Sequence, residues 1–332
     1  MSAVLTDNGT DHGAGSVQRD PTLPLLPTLL DTRAMAGHLA AYWPGHSLLR
    51  ADLIRHKLGR RALIRYTASG SDSAIAYGKT FASERGPRVH RIAEKVYDLT
   101  LSGELPFRVA PPIAWIPDLR LSLVGAVSGD GVEPRILASD TVLARQIAQA
   151  LAALHGSALS LDRHHELSDE LAPLAGRVEA LSQRAPQLMR QAHACLHRVH
   201  QRVPVWERRW RSRPIHRDCY HEQWLLDPDG LALLDFDDAK IGEPAVDIAN
   251  VTAHLHLLAL QLGRPVSSLN PVVDAFNDAA SAADPDLPSD LVRALEAATL
   301  LRLADIHQPR ANGDAVAQAL LDLCEERLES QS

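Results

Sequence analysis

The segment His216-Arg217-Asp218-Cys219-Tyr220-His221-Glu222-Gln223 is followed, twelve residues after Gln223, by Asp235-Phe236-Asp237. It sets a His-x-Asp, an amide side chain five residues past the Asp, and a second Asp beyond a short hairpin. Those residue types at that spacing suit phosphoryl transfer. One carboxylate accepts a proton from an attacking hydroxyl, while an amide oxygen and a second carboxylate hold magnesium on the phosphates of ATP. The amide is Gln223, one methylene longer than Asn, so its oxygen overreaches a site built for Asn.

The elements around these residues explain how they meet. Trp224 to Leu226 and Leu231 to Leu234 flank Asp227-Pro228-Asp229-Gly230, a strong hairpin signal. The hairpin puts Asp218 and Gln223 on the loop entering one strand and Asp235 at the exit of its partner. Antiparallel pairing brings those ends together, so three oxygen-bearing side chains converge on a hard cation and a triphosphate.

The chain resembles the aminoglycoside phosphotransferase and choline kinase group of protein-kinase-like enzymes. The resemblance rests on His216-x-Asp218, Leu225-Leu226, Leu234-Asp235-Phe236, Gly242-Glu243-Pro244-x-x-Asp247 and, upstream, Leu151-Ala-Ala-Leu-His155. It covers about residues 45 to 305 and implies an α+β, two-lobed protein-kinase-like fold. A small β-rich N-lobe would precede a larger, mainly helical C-lobe. By this resemblance Asp218 is the catalytic Asp that orients or deprotonates the acceptor hydroxyl. Asp235 is the metal-binding Asp of the Asp-Phe-Gly position, and Gln223 sits where Asn would bind a second magnesium. His216 braces the loop, and Asp247 is its structural counterpart, a buried acid tying the following helix to the catalytic loop.

Lys79, on the third strand, offers an ammonium suited to the α- and β-phosphates of ATP. Glu94, fifteen residues on in the next helix, is its expected partner, with Glu84 second. Gly59 is the candidate phosphate-covering turn, where Arg60 and Arg61 either contact phosphate or are solvated. Asp237 replaces the Gly of Asp-Phe-Gly and either supports magnesium through water or caps the next turn. Only eleven residues lie between Asp235 and Asp247, which leaves no room for a regulated loop. That spacing favours a small-molecule acceptor, and the resemblance implies an amino sugar, sugar or amino alcohol, with ATP and Mg2+ as cofactors. The alternative is a nucleotide-binding pseudokinase acting as a regulatory module, which Gln223 motivates.

Composition narrows the class further. The 332 residues are 45% hydrophobic and 23% charged, ordinary for a globular protein of two lobes. From Ile241 on there are 14 acids against five Lys and Arg, and no basic stripe with interleaved aromatics occurs, which disfavours nucleic acid. No apolar run reaches transmembrane length, and the N-terminus lacks the features of a signal peptide. Three scattered cysteines read as free thiols in a reducing cytoplasm.

The expected organisation is a disordered tail (1–23), a nucleotide-binding lobe (24–127) and a catalytic lobe (128–332), with the Gly-rich stretch Ser128 to Gly131 at the boundary. Strands are expected at Leu53–Leu58, Ala62–Tyr66 and Ala74–Phe81, a helix at Pro87–Leu101, a hairpin at Ala114–Val127, and helices through most of the remainder. Two other constellations read as bland. His193, His197 and His200 form an exposed helical face, and His164-His165-Glu166 a solvated turn. His254 and His256 point to different sides of one helix.

Overall fold

The computed structural model describes residues 19–70, 74–201, 205 and 207–329. The chain divides into two compact units. The first comprises the described residues up to Gly103, Phe107–Asp130 and Leu225–Asp237; the second comprises Glu104–Pro106, Gly131–Trp224 and the described residues from Asp238 on.

The first unit is built on an antiparallel sheet of β1 (Ser47–Lys57), β2 (Arg61–Ser69), β3 (Ala74–Phe81), β4 (Pro112–Ile116) and β5 (Leu121–Gly125), in the order β1-β2-β3-β5-β4. Alternation decides its faces. Ile64, Tyr66, Ala76, Leu121 and Leu123 point to one side, where α1 (Leu26–Leu30) and α2 (Thr32–Ala40) cover them with Leu26, Leu29, Met35 and Leu39. Each such buried aliphatic side chain contributes about 1.5–3 kcal/mol. Asp31 starts α2 by accepting from the backbone N–H groups of Arg33 and Ala34. A Cβ at Gly78 would meet Leu121 and Tyr66 at 2.8 Å, so only glycine lets the strand pack here.

The odd residues of β3 face the other way. Lys79 lies opposite Ser122 of β5, and α3 (Gly86–Leu101) packs beside them with Val89, Ala93 and Val96. The expected tail is corrected from Asp20 onward. Asp20 and Leu23 are buried, and the Asp20 carboxylate accepts from Thr22, from the Gly59 N–H at 2.9 Å and bonds His56 at 3.0 Å. Residues 1–18 of that expected tail lie outside the described residues.

The second unit is helical, with α4 (Glu133–Leu137), α5 (Thr141–Gly156), α6 (Leu167–Arg184), α7 (Met189–His200), α8 (Ala245–Gln261), α9 (Asn270–Ala283), α10 (Ser289–His307) and α11 (Gly313–Glu329). α8 is apolar nearly all round and buried accordingly. Together α6, α7, α8, α10 and α11 form the main core, including Leu174, Leu181, Leu257, Leu300 and Leu320. The expected break of the long helical stretch at Pro186 is a 3-10 turn, Pro186–Leu188, because proline cannot continue the helix before it. Two short strands, β6 (Arg213–Ile215) and β9 (Lys240–Gly242), pair antiparallel and bracket residues 216–239 in the sequence. His164-His165-Glu166 is not a solvated turn. His165 is buried, bonds Glu170 at 2.7 Å, and its carbonyl accepts from the Trp210 indole.

Candidate active site

The predicted hairpin forms as β7 (Trp224–Asp227) and β8 (Gly230–Leu233). Asp229 N–H donates to the Asp227 carboxylate across the turn. Arg108 clamps the hairpin from outside. Its backbone exchanges bonds with Leu231 and Leu233, and its guanidinium holds Asp227 at 2.6 Å and the Gly230 carbonyl at 3.1 Å. Phe107 stacks beside Phe236, ring centroids 6.4 Å apart. Two residues after β8 ends, the chain reaches Asp235.

Asp235 has φ +61°, a left-handed conformation that a non-glycine residue adopts at a cost of about 1–2 kcal/mol. The strain turns its carboxylate to Lys79, whose Nζ donates to Asp235 Oδ1 at 2.7 Å and to Asp237 Oδ1 at 2.8 Å. Arg61 Nη1 donates to Asp237 Oδ2 at 2.8 Å, and Arg85 Nη2 to the same oxygen at 3.3 Å. Lys79, Arg61 and Arg85 thus surround two carboxylates within the first unit.

Electrostatics separates the two acids. Burial opposes the charge of Asp235, but Lys79 and Arg61 outweigh it and hold this carboxyl far below its ordinary range. Burial and the charge on Asp235 push Asp237 up, against Lys79 and Arg61. The pair therefore titrates as a unit with one strongly held charge. Burial disfavours the Lys79 ammonium, yet the two carboxylates more than offset it, and its pKa rises. Lys79 and the two carboxylates also line a small cavity of about 70 Å³, with Val89, Val96, Val109, Val124 and Leu233.

Two expected contacts take other forms. Glu94 does not hold Lys79. Its side chain is 54% exposed and its ionic neighbour is His90, at 3.7 Å. The phase of α3 explains this: Val89, Ala93 and Val96 face Lys79, and Glu94 lies about 100° further round. His90 instead bonds Ser122, the cross-strand neighbour of Lys79, at 2.9 Å. Gly59 has φ +73°, which fits a tight turn, but Arg60 is exposed, and it is Arg61 that reaches the carboxylates. Sequence reasoning left the role of Asp237 open between water-mediated metal support and a cap; it is the meeting point of three cations. Arg85 was missed, since an arginine in a turn carries no signal of its destination.

In the second unit, the segment before Gln223 is pinned by Asp247. Its Oδ2 accepts from His216 N–H at 2.8 Å and bonds His155 Nε2 at 2.9 Å, and its Oδ1 accepts from Arg217 N–H at 2.6 Å. Burial opposes the Asp247 charge, but His155, His216 and these bonds hold its pKa below the usual value. The bonds also offset the left-handed backbone of Arg217, φ +70°. Asn250 Nδ2 donates to the Cys219 carbonyl at 2.7 Å and is itself held by Arg302. Asp218, between these anchored residues, is half-buried, and no hydrogen bond or ion pair of its carboxylate occurs among the described residues. Burial raises the Cys219 thiol well above its ordinary pKa, which disfavours the nucleophilic thiolate. Gln223 is 5% exposed and ends a short 3-10 turn directly before β7. Tyr220 stacks on His254 at 4.5 Å.

Among the described residues no cluster of three His, Cys, Asp or Glu side chains could hold a metal, and no helix is long and apolar enough to cross a membrane.

The chain is similar to several solved structures. Choline kinase LicA from Streptococcus pneumoniae aligns with a TM-score of 0.56, at 12% identity, over 90% of this chain and 98% of that one. The GDP complex of wild-type aminoglycoside 2'-phosphotransferase-IIIa aligns with a TM-score of 0.53, at 16% identity, over 91% and 100%. Macrolide 2'-phosphotransferase MphH from Brachybacterium faecium aligns with a TM-score of 0.52, at 17% identity, over 91% and 99%. At these identities the likeness is one of fold. No curated protein sequence matches the chain. A sequence model matches residues 82–263, more than half of the chain and the whole stretch from the end of β3 through α8. By that match the chain belongs to the phosphotransferase enzyme family, and its α+β fold is like that of the solved choline kinase and phosphotransferases.

Proposed function

We propose that this protein transfers the γ-phosphoryl group of ATP, with Mg2+, to a hydroxyl of a small molecule: an amino sugar, sugar or amino alcohol. The observation that carries the reading is the bonding of Lys79 to both Asp235 and Asp237, with Arg61 on the second acid. Four charged groups kept together, three of them lining an otherwise mainly apolar cavity, match what a triphosphate needs. Cations neutralise its oxygens, and carboxylates hold the metal that accompanies it. The solved relatives support the nucleotide: LicA has been solved with AMP and the aminoglycoside 2'-phosphotransferase-IIIa with GDP.

In this reading Lys79 contacts the α- and β-phosphates, and Asp235 is the metal ligand with Asp237 beside it. Both are hard oxygen donors, which suits magnesium, and Gln223 supplies a further amide oxygen. Magnesium, when bound with ATP, neutralises phosphate charge. Asp218 aligns the acceptor hydroxyl and takes its proton; its carboxylate makes no hydrogen bond or ion pair among the described residues, and Asp247 fixes the backbone before it. His216 and Asp247 are bracing residues. Glu94 has no part in holding Lys79. The nucleotide-binding function is assigned to residues 24–127 together with the hairpin, and the acceptor function to the helical remainder. The stack of Tyr220, on the same loop as Asp218, against His254 of α8 offers a flat surface for a sugar or amino alcohol.

Turnover of Mg·ATP, measured with and without a panel of amino sugars, sugars and amino alcohols, tests the proposal. Acceptor-dependent ADP release that Asp218→Asn abolishes supports it. Nucleotide-induced thermal stabilisation without turnover on any acceptor would instead favour the binding-module reading that Gln223 motivates.

A further inference from the structure

Two arginines from different elements flank the catalytic loop. Arg217 directly precedes Asp218, and Arg302 stands on α10. Arg302 Nη2 donates to Asn250 Oδ1 at 2.7 Å, and Asn250 Nδ2 donates to the Cys219 carbonyl at 2.7 Å. One buried amide side chain therefore separates the Arg302 guanidinium from the residue after Asp218. Arg217, Asp218, Asn250 and Arg302 all belong to the second unit.

Both arginines are half-buried. A charge withdrawn from water is ordinarily met by an opposite one. Elsewhere in this unit that rule holds: Arg177 and Arg184 hold Asp305, and Arg211 holds Glu243. Arg217 and Arg302 form no ion pair among the described residues. Glu170 of α6 lies in the field of both, but its carboxylate bonds His165 at 2.7 Å. Burial lowers the Arg302 pKa; Glu170 and Asp218 oppose that, and Arg217 and Arg177 add to it. Two cations against one engaged acid leave one positive charge in surplus beside Asp218, whose own carboxylate is reserved for the acceptor's proton. An ammonium is poorly served here. His254, stacked on Tyr220, is held well below its ordinary pKa by burial and by the charges of Arg302, His221 and His307.

We propose that Arg302 and Arg217 are specificity-determining residues that receive a carboxylate carried by the acceptor, which is then a sugar acid and not an amino sugar. The inference rests on the phosphotransfer reading above and narrows its acceptors. The planar guanidinium fork matches a carboxylate, and one negative charge matches the surplus. The Nε atoms are buried and take no part. The donors are Arg302 Nη1 and the two Nη atoms of Arg217, which are neither hydrogen-bonded nor buried among the described residues.

Isothermal titration of the full chain with D-glucuronate, D-gluconate, D-glucose and 6-amino-6-deoxy-D-glucose tests it, alongside ADP release from Mg·ATP with each. One of the two acids should bind about tenfold or more tighter than the neutral and amino sugars. Arg302→Gln should remove that preference and Arg302→Lys restore part of it. Arg217→Gln, whose side chain holds no other residue, should also remove it, with an unchanged circular dichroism spectrum. A merely structural role would weaken acid and neutral sugar alike. Binding of neither acid, or a preference that survives both Gln variants, overturns the inference. ADP release with glucose or the amino sugar and no preference for an acid overturns it while sparing the phosphotransfer reading. Acid binding that Arg302→Gln weakens, without ADP release on any acceptor, upholds the carboxylate site and overturns the reaction instead.

Discussion

Lys79 and Asp237 stand 2.8 Å apart, at a position where the Asp-Phe-Gly pattern would place a glycine with no side chain to offer. The ammonium therefore has two carboxylates to satisfy, and Arg61 and Arg85 complete the balance. Two acids and three cations hold one another in place without help from Glu94.

Removing the second carboxylate should loosen this cluster. Asp237→Asn is expected to lower unfolding free energy by about 1–3 kcal/mol, the range for charge-assisted hydrogen bonds to a buried acid. Urea denaturation at pH 7 measures it. A midpoint equal to wild type would mean that Asp237 is not a structural hub.

Lys79 and Glu94 should behave as unrelated residues. Lys79→Met is expected to reduce kcat/KM for ATP at least 100-fold, about 2.7 kcal/mol of transition-state stabilisation. Glu94→Gln, on an exposed side chain, should stay within twofold. Comparable losses in the two variants would restore the pairing that the sequence had led us to expect.

The metal assignment has a readout besides turnover. ATP should raise the melting temperature more in the presence of Mg2+, and Asp235→Asn should erase that difference. Gln223→Asn should change it little, because an amide oxygen is kept. Retention of the Mg2+ effect in Asp235→Asn would move the metal elsewhere.

Asp20 should control the Gly59 turn from a distance of 39 residues in sequence. Asp20→Ala removes the acceptor for Gly59 N–H and the partner of His56. The expected outcome is a rise of several-fold in KM for ATP with kcat nearly unchanged. Equal losses in kcat and kcat/KM would count against a role confined to binding.

Stability should fall on mild acidification because of two buried histidines. Burial lowers His221 to about 4; burial, and then Arg310, lower His307 to about 4. Below about pH 6.5 the unfolded chain takes up protons that these folded histidines refuse. Each therefore costs up to about 1.4 kcal/mol per pH unit as the pH falls from about 6.5 toward about 4. Urea denaturation at pH 7 and pH 5 should show a smaller pH-dependent loss in His221→Gln than in wild type. Identical losses would mean that His221 is protonated in the fold.

The sequence by itself determined the family, the hairpin and the order of elements. Local signals carry these: Asp227 to Gly230 can only turn, the apolar period of residues 86–101 can only be a helix, and Pro186 must break one. It also singled out Lys79, Asp218, Gln223, Asp235 and Asp247, because their types and spacing are fixed along the chain. Tertiary structure decided which charges meet. Glu94 misses Lys79 by the phase of one helix, and Arg61 displaces Arg60 by the alternation of one strand. Asp20 is drawn into the fold by a turn 39 residues away, and Asp237 gathers Lys79, Arg61 and Arg85. Charged side chains are long and tolerate many local settings, so their partners are chosen by how the backbone elements pack.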